Sequence, residues 1–315
     1  MKRPFPTRRS ILQGSAAFIA AAITPPVFAG GPDRTAALVR AHIVVVGGGF
    51  GGAAAARTAR LKMPEARITL LIDQPRYWMC PGSNSVIAGH HDLAAIEVGY
   101  DGLTALGIAV ERDPAQGIDP ARRTIRTENG RTLRYDKLIL SPGIAFDYDS
   151  IDGISHVTTE RVPHAWKAGP QTDLLKRQLQ AMPDGGLFVM TMPPSPYRCP
   201  PAPAERACLV AHYLKMHKPR AKVLILDAKD EFPFQDLFTE AWDGLYADII
   251  EYRSIAEDGV VREVDPATLT AFTDFGSEKA DVLNVIPPQT AARIAIDCGA
   301  ADASGWCPVD ITSFA

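Results

Sequence analysis

The sequence predicts an α/β fold of two Rossmann-like domains, with the first domain split around the second. Three stretches predict this fold. An apolar, β-branched run at residues 42–46 enters a glycine turn and then an alanine-rich helix that ends near residue 61. Residues 187–227 repeat the order strand, helix, strand, and an apolar strand at residues 280–286 leads back to the first domain. Strands that alternate with helices in this way are typical of parallel sheets.

The length and composition agree with a folded protein of this size. The 315 residues suffice for about two domains, and the contents of 46% hydrophobic and 22% charged residues are ordinary for globular proteins. We place an export signal at residues 1–29 and the first domain at residues 30–150. The second domain then covers residues 151–285, and residues 286–315 make an incomplete return to the first domain.

The N-terminus has the pattern of a twin-arginine export signal. Arg8 and Arg9 precede a mildly apolar run at residues 16–23, and small residues suited to cleavage lead up to Ala29. The apolar run is too short to cross a bilayer, so we predict no membrane span. This signal predicts a periplasmic protein that folds around its cofactor before export.

The charge balance argues against a nucleic-acid partner. Lys and Arg number 33 and Asp and Glu number 36, for a formal net charge of −3. Four of the basic residues lie in the predicted signal, which has no acidic residue, so the remainder carries −7. No cluster of Lys and Arg with interleaved aromatic residues is present. An acidic surface suits a basic protein partner.

The glycine turn predicts that the first domain binds a dinucleotide. Gly47 permits the sharp turn, Gly49 lets the backbone approach a pyrophosphate, and Gly52 lets helix and strand pack closely. The helix N-terminus then faces the phosphates, and Asp73, at the end of the next strand, can accept hydrogen bonds from ribose. The residues predicted to bind the cofactor through this domain are Gly47, Gly48, Gly49, Phe50, Gly51, Gly52, Asp73 and Gly143.

The rest of the chain favours FAD over NAD. Between the predicted helix at residues 93–106 and the second domain lie a hairpin at residues 124–135 and an apolar strand that ends in Ser141-Pro142-Gly143. This layout resembles flavoproteins with two dinucleotide domains, in which the N-terminal site holds FAD. In the second domain the corresponding turn is rich in proline, at residues 193–203. Proline has no N–H to offer a phosphate, so an NAD site is not expected there.

Two of the five cysteines are candidates for chemistry, and no metal site is predicted. Cys80 follows the ribose-binding strand, although a lone cysteine is also an ordinary small buried residue. Cys199 precedes a helix, and the helix N-terminus and Arg198 should lower its pKa and favour the thiolate. Glu205 is a candidate acid/base, or only a carboxylate that balances the helix dipole.

These residues resemble the flavoprotein subunit of flavocytochrome c sulfide dehydrogenase. The resemblance rests on motifs that include Pro163-His164-Ala165-Trp166-Lys167-Ala168-Gly169 and Arg198-Cys199-Pro200-Pro201, and on residues 44–52, 86–89, 99–103, 205–207, 280–282, 286–289 and 305–310. It implies FAD joined to Cys80 by a thioether, Cys199 as half of a redox-active disulfide, and Glu205 as the acid/base. It also implies sulfide as substrate and a c-type cytochrome subunit as partner.

The sequence also departs from that family. Pro81 follows Cys80, and Ala202 replaces a family glycine. The chain ends at Ala315, where the family continues, so we expect a C-terminally truncated chain. The family's second active-site cysteine has no counterpart in this sequence, so the partner of Cys199 stays open. Cys208 or Cys307 could replace it, but nothing in the sequence places either near Cys199. The alternatives are a sulfide:quinone-type reductase and an exported chain without activity.

Overall fold

The structure is a computed structural model that describes residues 41–312. The predicted export signal lies outside the described residues. In chain order the strands are β1 His42–Val46, β2 Arg67–Ile72, β3 Tyr77–Trp78, β4 Glu97–Val98, β5 Ala109–Arg112, β6 Ala115–Asp119, β7 Thr124–Thr127, β8 Thr132–Arg134, β9 Lys137–Leu140, β10 Ile144–Phe146, β11 Leu187–Met192, β12 Lys222–Asp227, β13 Ile250–Arg253, β14 Glu263–Asp265, β15 Thr270–Phe272, β16 Ser277–Lys279, β17 Val282–Asn284 and β18 Gln289–Ala291. The α-helices are α1 Phe50–Lys62, α2 Ser83–Ile87, α3 Asp101–Ala105, α4 Pro170–Ala181, α5 Ala202–His217, α6 Gln235–Leu245 and α7 Arg293–Asp297.

Two four-stranded parallel sheets of the same topology form the centre of the fold. The first has the order β5-β2-β1-β9 and the second the order β13-β12-β11-β17. In both, the chain begins at an inner strand, runs to one edge and then returns to the other side of the starting strand. The predicted fold class, two Rossmann-like α/β units, is confirmed. In such sheets ligands bind beyond the carboxyl ends of the strands, where the strand order reverses.

Alternate side chains of β1 are buried on the two opposite faces of the first sheet. Ile43 and Val45 pack with Ala56 and Ala59 of α1, because the small alanine side chains allow the helix to lie close to the sheet. Val44 and Val46 face the other way and pack against Ile125. That residue belongs to the three-stranded antiparallel sheet β6-β7-β8, which covers this second face. The hairpin predicted at residues 124–135 is part of this sheet.

The chain passes between the two units twice. The apolar strand predicted at residues 280–286 is β17, which pairs in parallel with β11 and so completes the second sheet. The return follows it directly, because β18 pairs antiparallel with β10, the strand through which the chain left the first unit.

The helix predicted at residues 93–106 is wrong. The segment is a 3-10 turn at Leu93–Ile96, then β4, then the short helix α3. β4 pairs antiparallel with β3, and Met79 N donates to the carbonyl of Ile96. These cross-strand hydrogen bonds, together with Gly99, outweigh the helical pattern of the local sequence.

The close contact of α1 with β1 is tested by a glycine replacement. A Cβ atom at Gly52 would lie 1.8 Å from the carbonyl oxygen of Gly47, whereas one at Gly102 would meet nothing within 4 Å. We expect Gly52→Ala to lower the free energy of unfolding by about 3 kcal/mol. Gly102→Ala, in α3, should leave it equal or raise it by about 0.5 kcal/mol. Thermal and denaturant unfolding of both variants checks this, and equal stability of the two would contradict the packing described.

Candidate functional site

A cavity of about 540 Å³ lies beyond the carboxyl end of the first sheet, where it meets the second unit. Its walls come from the glycine turn, from the segment after β3, and from the loop between β11 and α5. The cavity brings together four residues predicted from the sequence that are far apart along the chain. The predicted residues that line it are Phe50, Cys80, Cys199 and Glu205.

The glycine turn is held in place by its neighbours. Gly47 has φ of +100°, and a Cβ there would lie 2.0 Å from the Ser141 carbonyl oxygen. The hydroxyl of Tyr100 donates to the carbonyl of Gly48 at 3.0 Å. Gly49 differs, because a Cβ there would come no closer than 3.5 Å to any neighbouring atom. Protein packing therefore requires glycine at position 47, whereas a side chain at position 49 would make only an ordinary contact with the Tyr77 ring.

The other predicted nucleotide residues surround this turn. Gly51 lies in the first turn of α1, and a Cβ there would meet the Ser141 hydroxyl at 2.6 Å. Asp73 follows β2 and is exposed, and its carboxylate accepts the main-chain N–H of Gln74 at 2.9 Å. Gly143 follows β9 with φ of +79° and has open space where a side chain would be. Asp73 and Gly143 are thus accessible at the carboxyl ends of strands that flank β1.

Cys80 begins a 3-10 turn at Cys80–Gly82 that leads directly into α2. The Ser83 hydroxyl donates to the Cys80 carbonyl at 2.7 Å, which fixes the turn. Cys80 is a free, partly buried thiol. It lies beside the Tyr77 hydroxyl, and burial, with Cys80 acting in the same direction, raises the pKa of Tyr77 to about 12. Tyr77 is therefore a neutral hydrogen-bonding group at neutral pH.

Cys199 lies on the loop before α5 in a left-handed conformation, with φ of +56°. This conformation is uncommon for a residue with a side chain, and such strain is concentrated at functional sites. The carbonyl of Cys199 accepts the N–H of Ala202 at 3.0 Å, which joins the loop to the helix. The thiol is free and exposed to the cavity.

The expectation of a lowered pKa for Cys199 is wrong. Partial burial raises the pKa of this thiol, and the Glu205 carboxylate acts in the same direction. The N–H of Ala202 and the charge of Arg198 lower it, but by less. The Arg198 guanidinium is instead held by the carbonyl of Trp166. The Cys199 thiol therefore needs a base to become the thiolate.

Glu205 is oriented by a buried hydrogen-bond network. The Asn84 side-chain N–H donates to Glu205 Oε2 at 2.6 Å and to the Ala202 carbonyl at 3.1 Å. Asn84 Oδ1 accepts from Arg206 Nε at 2.9 Å. A guanidinium only donates hydrogen bonds, so the Asn84 amide has a single possible orientation and Glu205 Oε2 must act as an acceptor. This leaves Oε1 as the oxygen that can exchange a proton.

Arg206 is the buried end of this network. Its guanidinium also donates to the carbonyls of His164 and Ala165 and to Asn284 Oδ1, at 2.7 to 2.9 Å. It lies over the Trp166 ring, 5.3 Å from the centroid. Burial lowers the pKa of Arg206 to about 9, partly offset by Glu205. The guanidinium is therefore charged at neutral pH and attracts the Glu205 carboxylate.

Two family models match the chain. One, described as pyridine nucleotide-disulphide oxidoreductase, matches residues 41–179. The other, described as the central part of the sulfide dehydrogenase [flavocytochrome c] flavoprotein chain, matches residues 172–287. The first part of the chain is thus similar to pyridine nucleotide-disulphide oxidoreductases, and the second part is similar to a sulfide dehydrogenase flavoprotein chain.

Individual relatives point the same way. The mitochondrial sulfide:quinone oxidoreductase of Mus musculus is 23% identical over 265 residues, which are 77% of this chain and 55% of that protein. The sulfide-quinone reductase of Aquifex aeolicus (strain VF5) is 34% identical over 103 residues, 32% of this chain and 24% of that protein. The chain thus spans about half, or less, of the curated relatives that it matches.

A solved structure shares the fold. The sulfide:quinone oxidoreductase from Aquifex aeolicus superimposes with a TM-score of 0.70 and 21% sequence identity. The match covers 84% of this chain and 63% of that one.

A cavity of about 290 Å³ lies at the carboxyl end of the second sheet, lined among others by Met192, Pro193 and Ala228. Lys229 Nζ donates to the Pro193 carbonyl at 2.9 Å and to Asp227 Oδ1 at 2.5 Å. Asp227, at the end of β12, corresponds in position to Asp73 of the first unit, which is predicted to bind ribose, but Asp227 is buried and also accepts from Tyr252. Prolines at the turn and an internal ion pair therefore stand where an NAD site needs glycines and a free carboxylate.

Both departures from the family pattern, Pro81 and Ala202, line the same cavity as the two cysteines. The sequence indicated two further cavity residues, Trp166 and Arg206, only as parts of motifs, and Arg198 only as a charge beside Cys199. It gave no sign of Asn84, whose partner Glu205 lies 121 residues away.

Within residues 41–312 no group of three or more His, Cys, Asp or Glu residues could hold a metal ion. No helix in that part of the chain is long and apolar enough to cross a membrane.

The raised pKa of Cys199 predicts how the thiol alkylates. Replacing Glu205 with Gln removes a negative charge that raises this pKa, so the pKa should fall and more thiolate should exist at pH 8. We expect Glu205→Gln to speed alkylation of Cys199 by iodoacetamide several-fold, with the pH midpoint shifted downward. Peptide mass spectrometry over a pH series measures this rate.

Glu65→Gln is the matched control, because it removes an exposed carboxylate that forms no ion pair with the described residues. It should leave the rate unchanged. Slower alkylation of Cys199 in Glu205→Gln would contradict the electrostatic effect assigned to Glu205.

Proposed function

We propose that this chain is the flavin-binding part of an exported oxidoreductase that oxidises sulfide and passes the electrons to a c-type cytochrome. The observation that carries the proposal is the single cavity shared by Cys80, Cys199 and Glu205 at the carboxyl end of the first sheet. The names of the relatives, all sulfide:quinone reductases, support sulfide as substrate.

The residues of the first unit fit FAD. A Cβ at Gly49 would make only an ordinary contact with Tyr77, at 3.5 Å, so the packing of the protein alone does not explain this glycine. Gly49 stands at the start of a 13-residue helix whose first N–H groups have no intrahelical acceptors. Asp73 is exposed and free to accept from ribose hydroxyls. Trp166 Nε1 is buried at the cavity without an acceptor among the described residues, so a polar atom of a bound ring could accept from it. We assign Gly47 to Gly52, Asp73 and Gly143 to nucleotide binding and Cys80 to a thioether link.

Bound flavin would supply an acceptor for an electron pair that can be released again as single electrons. The chain supplies the rest. Cys199 Sγ forms a bond with the sulfide sulfur, and Glu205 Oε1 takes a proton, while Asn84 holds Oε2. Thiolate and HS⁻ together yield a persulfide anion, one proton and two electrons, so atoms and charges balance. Arg198, at the cavity wall, attracts the anionic substrate.

The electron acceptor and the location are further parts of the proposal. The central match to a flavocytochrome c flavoprotein chain and the twin-arginine pattern support a periplasmic cytochrome. The curated relatives, which are named for quinone, favour a second candidate, a sulfide:quinone reductase. Both candidates use the same cavity and the same Cys199 chemistry, and they differ in what takes the electrons.

Two single substitutions test the proposal on purified, flavin-containing protein. Acid precipitation of the wild type should leave the yellow flavin in the pellet, and Cys80→Ser should release it to the supernatant. Cys199→Ser should keep the flavin in the pellet but reduce sulfide oxidation at least about 100-fold, because it removes the nucleophile. Absorbance spectra and sulfide-dependent reduction of cytochrome c measure the two effects.

Cys298→Ser is the matched control, since Cys298 is also a free thiol, does not line the cavity and is not a candidate partner of Cys199. A Cys199→Ser variant that oxidises sulfide as fast as the wild type would overturn the proposal. Reduction of a soluble quinone faster than cytochrome c would favour the second candidate.

A further inference from the structure

The surface beside the cavity mouth is apolar and exposed on one helix. Phe238 of α6 lines the cavity. Phe234, which lies one helical turn before Phe238, is 64% exposed. Leu237, the residue directly before Phe238, is 65% exposed. Large apolar side chains grouped in this way at a functional site are typical of a contact surface for another molecule.

The same segment carries a strong negative charge. Residues 230–248 contain six carboxylates and neither Lys nor Arg, in a chain with a net charge of −3. All six are exposed, and none forms an ion pair within the described part of the chain. They are Asp230, Glu231, Asp236, Glu240, Asp243 and Asp248. Two neighbouring lysines, Lys215 and Lys222, donate to main-chain carbonyls at the far end, those of Leu245 and Asp248. The Phe234 end is therefore an apolar area with an acidic border.

Phe234 is also held in an unfavourable conformation. Its φ is +64°, in the left-handed region that a bulky side chain rarely adopts. The conformation is fixed from both sides, because Gln235 N donates to the Phe232 carbonyl and Gln235 Oε1 accepts from Phe232 N. Burial does not offset this strain, since the ring is exposed.

We propose that residues 230–248 form the docking surface for the electron acceptor, a protein whose apolar contact face is ringed by lysines. The inference rests on the proposed function, in which electrons leave from the cavity beside Phe238. Charge complementarity selects the partner, because lysines would meet the six carboxylates while apolar groups cover Phe234 and Leu237. A second copy of the chain, or an anionic membrane surface, would be repelled by the same carboxylates.

The test measures binding of the flavin-containing chain to a basic c-type cytochrome by biolayer interferometry. Wild-type binding should weaken as ionic strength rises from about 10 to about 150 mM, because salt screens exposed charges. Glu240→Lys combined with Asp243→Lys reverses two charges on the exposed side of α6 and should weaken binding about tenfold at low ionic strength. An acidic c-type cytochrome should not bind the wild type.

The matched control is Glu65→Lys combined with Glu128→Lys, which changes the net charge equally on the first unit. Both residues are exposed and form no ion pair with the described residues. This variant should bind within about twofold of the wild type. Equal weakening in both double variants, or none in either, would overturn the proposal.

Phe234→Gly tests the apolar part separately from folding. Glycine adopts the left-handed conformation without strain, so the melting temperature should be equal to that of the wild type or higher. Binding should still weaken, with an unchanged dependence on salt. Binding as tight as that of the wild type would show that Phe234 is not part of the docking surface. The binding assay needs no sulfide, so a chain that binds the basic cytochrome but does not oxidise sulfide would contradict the proposed function alone.

Discussion

Arg206 donates hydrogen bonds from the interior of the protein to four oxygen atoms in three separate parts of the chain. The acceptors are Asn84 Oδ1 in the cavity wall, the carbonyls of His164 and Ala165, and Asn284 Oδ1 at the end of β17 in the second sheet. A buried charge is costly unless its hydrogen bonds are satisfied, so this guanidinium fixes the distances between those parts. The position of Glu205 follows, because Asn84 is oriented by Arg206 and in turn holds one carboxylate oxygen. The position of the proposed acid/base atom, Glu205 Oε1, thus depends on a residue that need not touch substrate.

The two sheets have the same strand order but serve different purposes at their carboxyl ends. At the first, a glycine turn meets the start of α1, which suits a nucleotide. At the second, the corresponding loop is stiffened by prolines, the Asp227–Lys229 pair takes the place of a free carboxylate, and the loop presents Cys199 instead. One architecture therefore supplies a cofactor site from one unit and a strained thiol from the other, and the cavity lies where they meet.

Much of this arrangement could be predicted from the sequence. The glycine turn, Asp73 and the repeated strand, helix and strand order depend on local patterns, and these patterns predicted the fold class. The grouping of Cys80, Cys199 and Glu205 was reached through a family resemblance, because nothing in their spacing brings them together. Asn84 was missed for the same reason, since its role depends on a tertiary contact. The pKa of Cys199 was predicted in the wrong direction because the sequence shows a helix and an arginine but does not show burial. The helix predicted at residues 93–106 failed because pairing with β3 is not a local property.

The central claim is that a flavin ring lies in the cavity between the thiols of Cys80 and Cys199. A crystal structure of the flavin-containing protein tests it most directly. The account predicts the nucleotide along the glycine turn, Cys80 Sγ bonded to the ring, and Cys199 Sγ within about 4 Å of it, the range of direct contact. A flavin bound elsewhere, or a ring with both sulfurs outside contact distance, would contradict the account.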